Sequence, residues 1–485
     1  MQIKAFRLHN IGRFASLDAS FLTANRAIAK VVVFIGNNGA GKTSILKSLS
    51  TSLSWFVARV RTEKGNGSAI KDDTISNHEN FAKVEIEVHD DTVATDSNIF
   101  TWSVSRPRTG TVSPENSNLA EVTQLASHYR NALTHAGSLN IPLVAYYPVE
   151  RAVTDAPLKS RNDLTFPQLA GYEGLSDNTT SFSSFFEWFR NREDHENELK
   201  ALSSHGESLL SQFHKYKNKL LEAKDLTSSK IEELTKVIDE QIVILQENMH
   251  ELPRLQSITS TLPIDSQLNA VRAAIQNFMP GFINLRVQRM PRLQMLVEKD
   301  EQTLDILQLS QGEKSLMALV GDIARRLAML NPSLEDPLKG KGVVLIDEVD
   351  MHLHPRWQRS IVQQLVNTFP NCQFILTTHS PLVISDSKDI LVYSLDHGVL
   401  KRVAPQYGQD ANSVLLGVMD TPVRNEYLET QLGNLFDLIQ AFQLDEANQM
   451  IAILEQELPD PASNVELAKA KLMLRKQGLR LEKNR

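Results

Sequence analysis

Several short segments carry residue types and spacings with a recognisable chemistry. Gly36-Asn37-Asn38-Gly39-Ala40-Gly41-Lys42-Thr43 fits G-x-x-x-x-G-K-[ST], a loop that folds its backbone N–H groups around phosphates. Its glycines permit the tight wrap, and a helix starting at its end adds partial positive charge. Lys42 reaches the β- and γ-phosphates and the Thr43 hydroxyl ligates Mg²⁺, so Asn37, Asn38, Gly39, Ala40, Gly41, Lys42, Thr43 and Ser44 are the candidate nucleotide-binding residues. Far down the chain, Gly342-Val343-Val344-Leu345-Ile346-Asp347-Glu348 is an apolar run ending in two carboxylates. Asp347 is the candidate Mg²⁺ ligand, beside Thr43, and Glu348 the candidate catalytic group that polarises an attacking water. A second such run, Cys372 to Thr377, leads to Thr378-His379-Ser380. His379 is a candidate γ-phosphate contact, with a capping or core histidine as the alternative. Leu309-Ser310-Gln311-Gly312-Glu313 opens an amphipathic pattern and offers a hydroxyl and free N–H groups to an anion at Ser310, Gln311 and Gly312.

These groups need strands and helices to hold them. Val31 to Ile35 is a short β-branched run typical of a strand buried on both faces, and Ser44, Ile45, Leu46 and Leu49 follow at helical spacing. Strand, glycine loop and helix is the setting the phosphate chemistry requires. A histidine at the carboxyl end of a parallel strand sits where open α/β sheets bind ligands. Val84, Ile86, Val88 and then Phe100, Trp102, Val104 alternate as an antiparallel arm. Residues 61–80 and 105–120 read as mobile polar loops, Ile141 to Tyr147 as a strand, 280–308 as strands with Asp300-Glu301 near a turn, and 391–403 as a hairpin around Asp396-His397-Gly398.

More than half of the chain separates Lys42 from Ser310. In it, Phe182, Phe185, Phe186, Trp188 and Phe189 lead into Arg190-Asn191-Arg192. Their helical spacing favours a core or interface helix over a base-stacking surface. Leu209, Phe213, Tyr216, Leu220 and then Ile231, Leu234, Ile238, Ile242, Leu245, Met249, Leu252 follow heptad-like steps. They read either as a hairpin turning at Asp225 to Ser229, with Ser229 and Glu232 as a capping box, or as one continuous helix. His352 and His354 are a conceivable metal pair without local support.

Composition narrows the function. The 485 residues suggest two or three domains, and 41% hydrophobic with 22% charged residues supports a packed core. With 51 basic and 58 acidic residues the net charge is −7, which argues against overall charge driving nucleic-acid binding. One cysteine, Cys372, excludes an internal disulfide and a multi-cysteine zinc site. The amino terminus lacks a signal core and no apolar run is long enough to span a membrane, so a cytoplasmic chain without membrane partners is expected.

Loop, Leu-Ser-Gln-Gly-Glu segment, Ile-Asp-Glu strand end and Thr-Thr-His-Ser switch, in this order, resemble the ABC-type ATPase heads of the SMC, Rad50 and RecF group. Asp347 to Pro355, followed by Thr377 to Pro381, is similar to ATPases of prokaryotic defence systems, including the overcoming-lysogenization-defect proteins. The resemblance implies an α/β ABC-type P-loop head with an antiparallel β arm and an inserted short coiled-coil or helical region. Its division would be 1–180 and 280–420 as the two lobes, 181–279 as the arm, and 421–485 as a C-terminal helical segment. It assigns Lys42, Thr43, Asp347, Glu348 and His379 to one ATP face, and Ser310, Gln311 and Gly312 to the ATP of a second head. At least a homodimer follows. Met351 to Pro355 departs from the aspartate many such heads carry after this strand. The stretch after Pro422 is too short for the Toprim nuclease of overcoming-lysogenization-defect proteins. The insert-bearing head, the Ser184 to Asp194 helix and the 407–419 segment look most like the ATPase subunit of Septu-type systems, whose relatives accompany some retrons. That family works with a separate HNH-type nuclease, so an ATP-hydrolysing sensor and scaffold gating such a partner is implied, with nucleic acid met through the complex. A DNA-repair or chromosome-maintenance ATPase and a non-hydrolysing ATP-binding scaffold are the alternatives.

Overall fold

The computed structural model of the chain describes residues 1–93, 98–112, 115–136, 139–149, 166–174, 182–221, 228–254, 265–421, 425–461 and 464–483. Two compact units divide at Gly408 and Gln409.

The first unit begins with β1 (Gln2–Ile11), β2 (Phe14–Ser20), β3 (Val31–Gly36) and α1 (Lys42–Arg61). Next come β4 (Phe81–His89), β5 (Ile99–Pro107), α2 (Ala120–Ala136) and β6 (Leu143–Tyr147). The insertion holds α3 (Phe182–Leu221), α4 (Ser228–Arg254) and α5 (Ser266–Phe278). The chain returns through β7 (Phe282–Gln288), β8 (Gln294–Lys299), β9 (Gln302–Asp305), α6 (Gln311–Leu330) and β10 (Gly342–Ile346). It closes with α7 (Pro355–Thr368), β11 (Cys372–Thr377), α8 (Pro381–Ser385), β12 (Ile390–Asp396) and β13 (Val399–Val403).

The central sheet has the order β13-β12-β3-β11-β10-β6, with β13 antiparallel at one edge and the other five strands parallel. The β-branched runs fill it: every residue of β10 and β11 is buried, as a strand covered on both faces requires. With its helices this sheet makes the α/β P-loop head, which carries the antiparallel β arm and the helical insertion. The arm sheet, β2-β1-β4-β5, is wholly antiparallel, and Val84, Ile86 and Val88 alternate inward as their pattern predicts. Gln373, fully buried on β11, joins the two sheets: its amide oxygen accepts the Ile3 N–H at 2.7 Å, and its nitrogen donates to Ile3 O and Ala29 O. Cys372 fills core, and burial pushes its thiol up to about 12.

Three details differ from the reading of the sequence or decide between its alternatives. The loops of 61–80 and 105–120 are packed where described: Trp55 Nε1 donates to Ser68 O, and Arg108 donates to the carbonyls of Ile75, Ser76 and Glu79. A helix, α2, follows the second loop. The arm is a hairpin of α3 and α4, since the Lys217 ammonium meets the Asp239 carboxylate at 2.5 Å, whereas one continuous helix would hold them about 33 Å apart. Most of the Asp225 to Ser229 turn lies outside the described residues.

The aromatic run belongs to the core: Phe185, Phe186, Trp188 and Phe189 are buried at the start of α3. One turn on, Glu193 clamps the helix, accepting from Arg272 of α5, the Val287 N–H of β7 and Arg289. The 391–403 hairpin turns through His397 and Gly398, both at positive φ, the conformation of a two-residue type I′ turn.

The second unit contains α9 (Ala411–Gly417), α10 (Glu426–Gln440), α11 (Leu444–Glu457) and α12 (Val465–Lys483). Leu432, Leu435, Ile439, Leu454 and Leu467 form its core. Pro422, at the start of the 421–485 segment suggested by the sequence, lies outside the described residues.

Candidate functional site

The parallel order places three loops at one edge of the sheet. The phosphate-loop pattern follows β3, the His379 segment follows β11, and the Asp347 segment follows β10, so β11 separates the other two by single strand spacings. Gly41 ends the loop in the left-handed region at φ +106° and caps α1. A Cβ there would lie 2.5 Å from Phe14 Cζ, so both conformation and space call for glycine. Asn37, Asn38 and Gly39 are exposed, Ala40 is buried, and Thr43 and Ser44 are half-buried in the first turn of α1.

Lys42 is buried and donates to Gly36 O at 2.7 Å and Asn37 O at 3.2 Å. Burial lowers its pKa, against the attraction of Glu348, Asp347 and Asp350. The same three carboxylates face His379. Burial and then the Lys42 charge outweigh them and lower its pKa, which favours the neutral imidazole. Lys42 from the early part of the chain, and Asp347, Glu348, Asp350 and His379 from far along it, thus form one electrostatic cluster.

Asp347 is fully buried on the end of β10. Its Oδ1 accepts the Thr377 hydroxyl at 2.5 Å, while its Oδ2 is buried with no hydrogen-bond partner. An acceptor left in that state is costly unless something of opposite charge meets it. Together with the half-buried Thr43 hydroxyl group, this donor set fits a hard, oxygen-ligated cation such as Mg²⁺. Glu348 has φ +45°, rare for a non-glycine residue, and its N–H donates to Thr377 Oγ1 at 2.7 Å. Thr377 therefore holds both carboxylate residues with one hydroxyl.

Ser310, Gln311 and Gly312 are not brought into this cluster. Ser310 caps α6, whose other end lies at the amino edge of the sheet, where Leu330 O accepts the Ile141 N–H. Running about 30 Å antiparallel to β6, the helix places its exposed start at the carboxyl edge, on the flank beyond β10. Gly312 abuts the turn after β10; a Cβ on it would meet His352 O at 2.5 Å. His354 caps α7 through Nδ1, accepting the Arg356 N–H, which is a structural use of that histidine.

Three further residues lie at the cluster or beside the loop and were not evident from motifs. Thr377 ends an apolar strand run, and only the fold shows its two bonds. Asp350 accepts the Thr378 hydroxyl at 2.5 Å and faces Lys42 and His379. Arg13, in the turn between β1 and β2, has its Nη2 3.7 Å from the Cβ position of Gly39. Its proximity to the loop depends on a sheet contact that spacing does not reveal.

Residues 31–385 match the family described as "AAA domain, putative AbiEii toxin, Type IV TA system". The chain is 34% identical over 432 residues to the Retron Vc95 probable ATPase of Vibrio cholerae serotype O1 biovar El Tor, covering 86% of this chain and 79% of that protein. It is 31% identical over 484 residues to the Retron Ec83 probable ATPase of Escherichia coli, covering 96% and 86%. The Septu protein PtuA of Bacillus mycoides (strain KBAB4) matches at 47% over 74 residues, 15% of this chain and 10% of that one. Among solved structures, the Smc head domain with an extended coiled coil from Pyrococcus furiosus overlays loosely, at TM-score 0.42 and 15% identity over 83% of this chain and 96% of that one. Among the described residues no helix is long and apolar enough to cross a membrane.

Proposed function

The chain belongs to the AAA-domain family matched over residues 31–385, and on that premise we propose that it binds and hydrolyses ATP as the ATPase subunit of an antiphage defence system. The observation that carries the ATPase reading is the convergence of Lys42, three carboxylates and His379 at one sheet edge, with Asp347 Oδ2 buried and unpartnered. The loop N–H groups, Lys42 and Arg13 would hold the phosphates, with Thr43 and Asp347 holding Mg²⁺. Mg²⁺, when bound, supplies neutralising charge for the triphosphate. Glu348 accepts a proton from the attacking water, and the neutral His379 donates a hydrogen bond to the terminal phosphate. Ser310, Gln311 and Gly312, on the flank of the same edge, serve the ATP of a second copy, so two heads close on two nucleotides.

The retron relatives support defence over a repair or chromosome-maintenance role. The finer reading, that ATP controls a separate HNH-type nuclease, draws on the Septu likeness. Co-purification of such a nuclease with the chain from its native operon tests it.

Lys42→Ala is expected to lose ATP binding in a fluorescent-nucleotide titration. Glu348→Gln should still bind while turnover falls roughly 10²–10⁴-fold. Light scattering should then show ATP-dependent dimers for Glu348→Gln. Unchanged affinity in Lys42→Ala overturns the site. Undiminished turnover in Glu348→Gln overturns the base assignment, and no turnover in the native chain or its complex favours the non-hydrolysing scaffold.

A further inference from the structure

The start of α6 is held by a bond pattern that reaches outside the motif. Glu313, three residues after the cap, accepts both the Ser310 N–H at 3.0 Å and the Ser310 hydroxyl at 2.9 Å through Oε2. Ser310 Oγ in return faces the Glu313 N–H, completing a capping box. The other carboxylate oxygen, Oε1, accepts the Lys299 ammonium at 2.7 Å. Lys299 ends β8 and also lies over the Phe282 ring, 5.3 Å from its centre, so its side chain has packing on one side and Glu313 on the other. The pair is mostly shielded, with side chains 30% and 17% exposed.

Two consequences follow for an anion arriving at Ser310. The hydroxyl has one proton, and Glu313 already takes it, so the phosphate of a second copy competes with an internal carboxylate. That carboxylate is also a negative charge within one turn of the helix end that should attract the phosphate. Burial pushes the Glu313 carboxyl up, but the bonds from Lys299 and Ser310 outweigh it and keep the group ionised. What decides the balance is whether Glu313 stays compensated and held away from the incoming charge.

We propose that Lys299 is a positioning residue for the second-copy nucleotide site: by binding Glu313 Oε1 it fixes the capping box that presents Ser310 and cancels the carboxylate charge beside it. This deepens the reading of Ser310 to Gly312 given above and rests on it. Lys299 touches no nucleotide. It acts through Glu313, from a strand pair that also receives the clamp of Glu193 on Val287.

The test measures ATP-driven self-association of the full chain in a Glu348→Gln background, by light scattering across ATP and protein concentration. Nucleotide affinity and melting temperature are followed alongside. Lys299→Ala should weaken the ATP-driven association about tenfold, the scale of one lost hydrogen bond to a charged group, with little change in melting temperature. Lys299→Arg should restore most of it. In a Glu313→Gln background, where no charge needs compensation, Lys299→Ala should have no further effect. Ser310→Ala separates the two levels. If it weakens association and Lys299→Ala does not, or if Lys299→Ala costs the same with Glu313→Gln, the role of Lys299 is overturned. If Ser310→Ala has no effect, the second-copy site itself is overturned.

Discussion

Replacing Thr377 by valine keeps the shape of a fully buried side chain and removes one oxygen. That oxygen donates to Asp347 Oδ1 at 2.5 Å and accepts the Glu348 N–H at 2.7 Å. Without it, Asp347, whose Oδ2 already lacks a hydrogen-bond partner, loses the donor on its other oxygen as well. The Glu348 N–H, held in a left-handed backbone turn, loses its acceptor. Each such group left without a partner costs about 1–3 kcal/mol, so for the two groups a local loss of about 2–6 kcal/mol is expected. If Asp347 holds Mg²⁺ as proposed, the functional loss should be larger than the loss of folding suggests, because removing the group that orients a metal ligand typically costs about 10–100-fold in metal affinity or activity. The assay is steady-state ATP turnover titrated with Mg²⁺, for Thr377→Val and for Thr377→Ser, which keeps the hydroxyl. Thr377→Val should need more Mg²⁺ and turn over about 10–100-fold more slowly, while Thr377→Ser stays near the native rate. A folded Thr377→Val protein with native turnover and native Mg²⁺ dependence would refute the argument that this hydroxyl orders the two carboxylates.

Gly41→Ala puts a Cβ 2.5 Å from Phe14 Cζ at a φ of +106°, a strain of about 1–3 kcal/mol before any repacking, and should weaken ATP binding more than tenfold in the same fluorescence titration. Native affinity in that variant would count against the loop conformation. Asp322 gives a pH dependence: burial pushes its carboxyl up, but Arg326 and Arg325 outweigh that and hold it at about 2, against an ordinary 3.8. A depressed carboxylate pKa contributes stability present above the unfolded value and lost as pH falls through the folded one, here between about pH 4 and pH 2. Unfolding free energy should therefore drop by about 1 kcal/mol from this group between pH 5 and pH 3, and Asp322→Asn should be less stable at pH 7 and lack that share of the slope. Equal slopes for the two proteins would remove Asp322 from the account.

Much of the candidate site is legible in the sequence because the chemistry it suggests confines residues to short contiguous patterns. A phosphate loop needs its glycines, lysine and threonine in one turn between a strand and a helix, and the buried strands of 31–35, 343–346 and 372–377 announce themselves by unbroken apolar runs. The hairpin of 391–403 and the alternating arm strands are equally local. What the tertiary structure decided are relations between segments far apart in the chain. Strand order put Lys42 beside Asp347, Glu348 and His379 and kept Ser310 on the flank. Pairing across the arm made a hairpin of a seam whose heptad spacing also suits one helix, because the spacing records which face is apolar but not what covers it. Burial assigned the Phe185 to Phe189 aromatics to the core, where sequence left a stacking surface open. Thr377, Asp350, Arg13 and Lys299 are ordinary residues by type and position. The parts proposed for them rest on hydrogen bonds and contacts between distant segments, which exist only once the fold has brought those segments within 3–4 Å of one another.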